Sequence, residues 1–196
     1  MKVSTKKMAV MAMLAAVSVL LVLIHIPFPP APFLEYDPAD IPILIGTFAY
    51  GPTAGIIITV VVSIIQGFTL SASSGIIGIV MHILATGSFA LVAGLIYQRK
   101  KTRKSAILAL GLGVITMTVM MVLMNLIFTP IFMGTPVETV AGMLLPIIIP
   151  FNLMKASINA VATLLLYKAV SRFIKEEKPE ISTKKVASID TQVKKG

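Results

Sequence analysis

Apolar residues in this chain do not alternate with polar ones; they run in long blocks, each closed by a short polar or Pro/Gly break. Blocks of about 18 residues or more are long enough to cross a hydrocarbon core of roughly 30 Å as helices. Reading the blocks against their breakers predicts about six helices, over Met8–Ile26, Ala39–Tyr50, Thr53–Leu70, Gly75–Gln98, Ser105–Phe128 and Pro146–Phe173. The second would rise only roughly 18 Å, too little to cross alone. It is therefore expected to pack within the bundle, with part of the preceding loop folded in. The first block follows Lys2, Lys6 and Lys7, as in a signal peptide. It is longer than a signal core and ends in Pro-rich sequence without a small-x-small cleavage site, so it reads as a retained helix.

Composition agrees with this pattern. Of 196 residues 57% are hydrophobic and 13% charged, a balance too apolar for a soluble domain. The expected fold class is an all-α membrane protein, a bundle of six transmembrane helices over residues 1–174. Residues 175–196 form a basic tail that reads as solvated, disordered and able to touch anionic lipid. The absence of cysteine excludes disulfides and thiolate metal sites.

Charge then orients the bundle. With six crossings, the N-terminal lysines, the cluster Arg99, Lys100, Lys101, Arg103 and Lys104, and Lys168 onward all fall on one side, which is the cytoplasmic side of a plasma membrane by the positive-inside rule. Five crossings would put basic clusters on both faces, so both termini are expected in the cytoplasm. The other side receives the loops Pro27–Pro38, Ser71–Ser74 and Thr129–Leu145, with Glu35, Asp37 and Glu138, and Asp40 just beyond. The net charge of +9 is thereby accounted for, and nucleic acid is not an expected partner.

The informative residues are those that do not suit lipid. In the last block Asn152, Lys155 and Asn159 are spaced three and four apart and share one helical face. A lysine near the bilayer interior costs roughly 3 kcal/mol on insertion scales, so it faces a cavity, a ligand or a carboxylate. Two readings stand for Lys155: a ligand contact, or a structural role in which it snorkels to the interface or pairs with Glu35, Asp37, Asp40 or Glu138. Asn125, near the outer end of the fifth block, is expected at the depth of Asn152 and can donate and accept at once, as a heterocyclic edge requires; an interhelical hydrogen bond would use it equally well. Gln66, His82 and His25 read first as packing groups. Ala12 and Ala16 have the small-xxx-small spacing that admits a close neighbour, within the bundle or from another subunit. No HExxH, GxSxG or P-loop pattern is present, and no acid pair is expected within the membrane.

The run Phe28-Pro29-Pro30-Ala31-Pro32-Phe33-Leu34-Glu35-Tyr36-Asp37-Pro38-Ala39-Asp40-Ile41-Pro42, followed by Gly46, Phe48 and Tyr50-Gly51-Pro52, resembles the first loop and second helix of the riboflavin-specific substrate-binding S components (the RibU family) of energy-coupling factor (ECF) vitamin importers. The similarity continues through Gly75-Ile76-Ile77-Gly78, Thr86-Gly87-Ser88-Phe89, Tyr97-Gln98-Arg99-Lys100-Lys101, Asn125 with Thr129-Pro130-Ile131, and Pro150-Phe151-Asn152-Leu153-Met154-Lys155. It covers nearly the whole chain except the tail.

The resemblance implies a non-enzymatic capture subunit that binds riboflavin, or its phosphate FMN, as substrate and uses no catalytic cofactor. Its implied partners are a transmembrane coupling subunit and two cytoplasmic ATPases. It implies flavin hydrogen bonds from Asn125, Asn152 and Lys155, and a first loop that closes over the ligand with Leu34, Tyr36 and Asp37. Gln66 and His82 stand where other members carry Asn or Glu, and join the candidate flavin contacts. Ala12 and Ala16 match alanines that meet the coupling subunit. The rival readings are an S component for another vitamin or heterocycle, a membrane-embedded lipid-modifying enzyme, and an autonomous ion-coupled transporter.

Overall fold

The computed structural model describes residues 4–69 and 75–175. The predicted loop Ser71–Ser74 and the tail after Lys175 lie outside them. In chain order the elements are α1 (Thr5–Val22), a hairpin of β1 (Ile26–Phe28) and β2 (Ala31–Tyr36), α2 (Asp40–Tyr50), α3 (Pro52–Phe68), α4 (Gly75–Arg99), α5 (Arg103–Met133), α6 (Val137–Met143), one π turn (Leu144–Ile148) and α7 (Ile149–Lys175). Among the described residues α1, α4, α5 and the run Val137–Val170 are long and apolar enough to cross a membrane; α2 and α3 are apolar but shorter.

The surface of the bundle is apolar, as its core is, and the core also holds small hydroxyls. Large apolar side chains such as Leu20, Leu95, Leu112, Val119, Leu123 and Leu165 point outward, while Ser18, Thr47, Thr59, Ser63, Thr86 and Thr118 are buried. The buried hydroxyls of Thr47, Thr59, Ser63 and Thr118 donate to the carbonyl one turn back, which satisfies them without water. Small residues let the backbones approach. A Cβ on Gly94 would lie 2.8 Å from the Cα of Pro52, so α3 and α4 cross at backbone contact, and Phe89 of α4 occupies the space a side chain on Gly113 of α5 would need.

The short α2 is the centre of the bundle. Asp40 and every residue from Pro42 to Phe48 are buried, against α1, α3, α4 and α7. This matches the expectation that the segment packs internally. Gly51, at φ 93°, then turns the chain directly into α3, whose first position is Pro52, where a missing N–H leaves nothing unsatisfied.

Three expectations need correction. The stretch Pro27–Pro38 is not an irregular loop: Ile26 pairs with Tyr36, Pro27 with Glu35 and Phe28 with Ala31 across a turn at Pro29–Pro30. Each strand of a two-stranded ribbon is an edge, so proline's missing donor is tolerated. Helix α1 accordingly stops at Val22, and His25 lies exposed in the link to β1. The predicted loop Thr129–Leu145 is mostly helical. Helix α5 runs through Pro130 and stops at Gly134, in the left-handed conformation at φ 64°, whose N–H caps the Pro130 carbonyl.

Candidate functional site

The hairpin lies across one end of the bundle. Ala31 and Leu34 bury against Val140, Ile148 and Phe151, and the Phe28 ring meets Phe151 at 5.3 Å between centroids. Beneath it is a cavity with about 170 Å³ of free space. Phe33, Leu34, Glu35 and Asp37 form its roof; Ser63 and Gln66 of α3, His82 of α4, Met117 and Met121 of α5, and Phe151, Asn152 and Lys155 of α7 form its walls. Apolar walls carrying a few fixed polar groups suit an uncharged heterocycle. The free space is below the roughly 300–1,000 Å³ of most small-molecule pockets, so a ligand of that size requires the roof to yield.

The roof is held by charge. Lys155 Nζ lies 2.7 Å from Asp37 Oδ2 and donates to the Glu35 carbonyl at 3.3 Å. Two of the three ammonium donors are thus used on the hairpin. Asp37 Oδ1 accepts from the Ala39 N–H at 3.1 Å, and Ser18 of α1 donates to the Ala39 carbonyl. The Tyr36 hydroxyl donates to Asn159 Oδ1 at 3.3 Å. Burial, followed by the charge of Asp37, raises the Tyr36 hydroxyl above its ordinary 10.0, so it remains a donor through the physiological range.

A second carboxylate lies deeper. Asp40 is fully buried and accepts from Thr86 Oγ1 at 2.9 Å and from Asn159 Nδ2 at 3.1 Å. Asn159 Nδ2 also lies 3.2 Å from the Asp37 carbonyl. His82 Nε2 is 3.4 Å from Asp40 Oδ1, close enough for an ion pair but not aligned as a hydrogen bond. Its Nδ1 meets Ser63 Oγ at 2.7 Å. Asp40 therefore ties the start of α2 to α4 and α7, and through His82 to the cavity wall. Asp37 in the roof and Asp40 beneath it are both buried, each with partners. Among the described residues no group of three or more His, Cys, Asp or Glu could hold a metal ion.

Of the candidates read from the sequence, Leu34, Asp37, Gln66, His82, Asn152 and Lys155 line the cavity. Tyr36 does not line it; its hydroxyl is bonded to Asn159, which lies outside the lining as well. Asn125 does not line it: its Nδ2 donates to the Met121 carbonyl at 2.8 Å and its Oδ1 accepts from Thr129, both within α5. Asn152 lines the wall while its Nδ2 donates back to Ile148 at the π turn. For Lys155 the carboxylate partner is Asp37. Ala12 and Ala16 are exposed on α1, whereas Ser18 on its buried face joins the hairpin network. Sequence reasoning missed Ser63 as part of the site and offered Asp40 only as a partner for Lys155, whereas its partners are Thr86, Asn159 and His82.

The family model for the substrate-specific component of ECF transporters matches residues 6–167. The chain is 33% identical over 177 residues to riboflavin transporter RibU of Staphylococcus aureus (strain TCH60), covering 87% of this chain and 93% of that protein. It is 27% identical over 187 residues to riboflavin transporter FmnP of Bacillus subtilis (strain 168), covering 88% and 96%. A solved S component of a bacterial ECF transporter superposes with a TM-score of 0.75 at 33% identity, covering 87% of this chain and 98% of that one.

Proposed function

The chain belongs to the family of substrate-specific components of ECF transporters, and we propose that within it the chain captures riboflavin, or FMN, in the cavity beneath the hairpin. Belonging to that family makes it a transporter component and not an enzyme. The observation that carries the substrate is the cavity itself, with Asn152, Lys155, Gln66 and His82 set among Phe33, Phe151, Met117 and Met121. Flat apolar walls bind the ring system, and the polar groups fix its edge and its hydroxylated chain. Two relatives matched over nearly their full lengths are named riboflavin transporters, which supports the same ligand here.

In this reading six helical segments span a bacterial plasma membrane, both termini are cytoplasmic and the hairpin faces outward. Residues 1–174 act as the binding unit. Capture loosens the roof formed by Leu34, Tyr36 and Asp37, and the Lys155–Asp37 pair closes it again over the flavin. Asn125 reaches the ligand only by releasing Thr129. Ala12 and Ala16 leave the α1 surface low, which supports contact with a transmembrane coupling subunit; two cytoplasmic ATPases then drive release inward.

The test is a titration of riboflavin fluorescence with the protein purified in detergent. Stoichiometric quenching is expected. A chain that leaves riboflavin unquenched while binding another heterocycle would retain its family and move the substrate to a different compound.

A further inference from the structure

The end of the bundle away from the hairpin holds a second cavity, and the capture of riboflavin does not use it. It is bounded by Phe48, Tyr50 and Gly51 at the close of α2, by Tyr97 and Gln98 at the close of α4, and by Lys101 in the link to α5. Its free space of about 330 Å³ exceeds that beneath the hairpin. Along α4, Gln98 lies 16 residues beyond His82, so the two cavities are roughly 24 Å apart. The floor is aromatic and closed: Phe48 stacks on Tyr97 at 4.2 Å, and Tyr167 of α7 meets both rings edge-on.

The rim has the opposite character. Lys101 and the Gln98 amide border the opening, and Lys7 of α1 places its ammonium 5.5 Å from the centre of the Tyr50 ring. No acidic side chain is among the lining residues. Further cations of this end, among them Lys6, Arg99, Lys100, Arg103, Lys104 and Lys168, add to its field. A cavity with cations and amide donors at the mouth and an apolar floor suits an acceptor-only anion carrying an apolar body.

We propose that this cavity binds a phosphate-bearing anion, either the head group of an anionic phospholipid or a free phosphate ester. Basic pockets between membrane helices hold such head groups, and each cation near the surface strengthens the attraction about fivefold. Lys101 and Lys7 meet the phosphate, Gln98 donates to it, and the glycerol or alkyl part lies on Tyr50 and Tyr97.

The test is native mass spectrometry of the full chain in detergent with phosphatidylglycerol, and with phosphatidylcholine as the neutral comparison. The wild type is expected to retain one phosphatidylglycerol in preference to phosphatidylcholine. The pair Lys7→Gln and Lys101→Gln should weaken that binding about thirtyfold, at about fivefold per charge. The pair Arg103→Gln and Lys104→Gln removes equal charge outside the cavity, where it acts on the head group only through the screened surface field, and should weaken the binding clearly less. Competition by inorganic phosphate would assign the site to free phosphate esters, and its failure to compete assigns it to the lipid. Equal retention of both lipids, or equal losses in the two paired variants, would overturn the proposal. Riboflavin titration should be the same in every variant.

Discussion

The two ends of this bundle use charge in opposite ways. At the hairpin end two carboxylates are buried and paired, Asp37 with Lys155 and Asp40 with Thr86, Asn159 and His82. At the other end Lys101, Arg103 and Lys104 are exposed, and the cavity there has no acidic lining. A buried charge is stable only with its partners in place, so the first arrangement specifies geometry, whereas the second supplies an electrostatic field that tolerates change. Substitutions should therefore be severe at one end and mild at the other.

The largest effect is expected at Asp40. Asp40→Ala strands Thr86 and Asn159 and should destabilise the detergent-solubilised protein by about 3–5 kcal/mol, the range for removing one partner of a buried charged network. Asp40→Asn keeps the shape and should lose less; thermal unfolding followed by light scattering compares them. If Asp40→Ala melts like the wild type, the network does not organise this end.

Lys155→Ala and Asn152→Ala should each weaken riboflavin binding by about 1.5–3 kcal/mol, as loss of a buried or charged hydrogen bond does. Affinity from fluorescence quenching reads this, and unchanged affinity in both folded variants would remove them from the site. Tyr36→Phe deletes a single neutral hydrogen bond to Asn159 and should cost about 0.5–1.5 kcal/mol in the same assay. The smallest effect on binding is expected on the exposed face of α1. Ala12→Leu and Ala16→Leu should leave the riboflavin titration unaltered while reducing uptake by cells, and full uptake by both variants would place the coupling surface elsewhere.

Much of this architecture was legible from the sequence. The long apolar blocks gave the helices, because only internally hydrogen-bonded segments survive in lipid. The spacing of Asn152, Lys155 and Asn159 gave one polar face, since all three lie on a single helix. Asp40 was not legible as a buried group. Its partners Thr86 and Asn159 come from 46 and 119 positions away, and no local pattern encodes such a meeting. The hairpin was obscured by Pro27, Pro29, Pro30 and Pro32, which suppress the usual strand signal. The end of α5 was misplaced because Pro130 reads as a breaker, whereas the left-handed Gly134 is the stop. Asn125 shows the limit of depth as a guide: it sits close to Asn152 along the bundle axis in expectation, yet both its polar groups are used inside α5.

On the proposed function, riboflavin binds beneath the hairpin and not at the basic end. The chain contains no tryptophan, so a single introduced indole reports on its own surroundings without background. Phe33→Trp places it in the roof of the hairpin cavity, and Tyr50→Trp places it in the second cavity. Stoichiometric riboflavin should quench the indole strongly in Phe33→Trp and weakly in Tyr50→Trp. Equal quenching in the two, or stronger quenching in Tyr50→Trp, would contradict the assignment of the site.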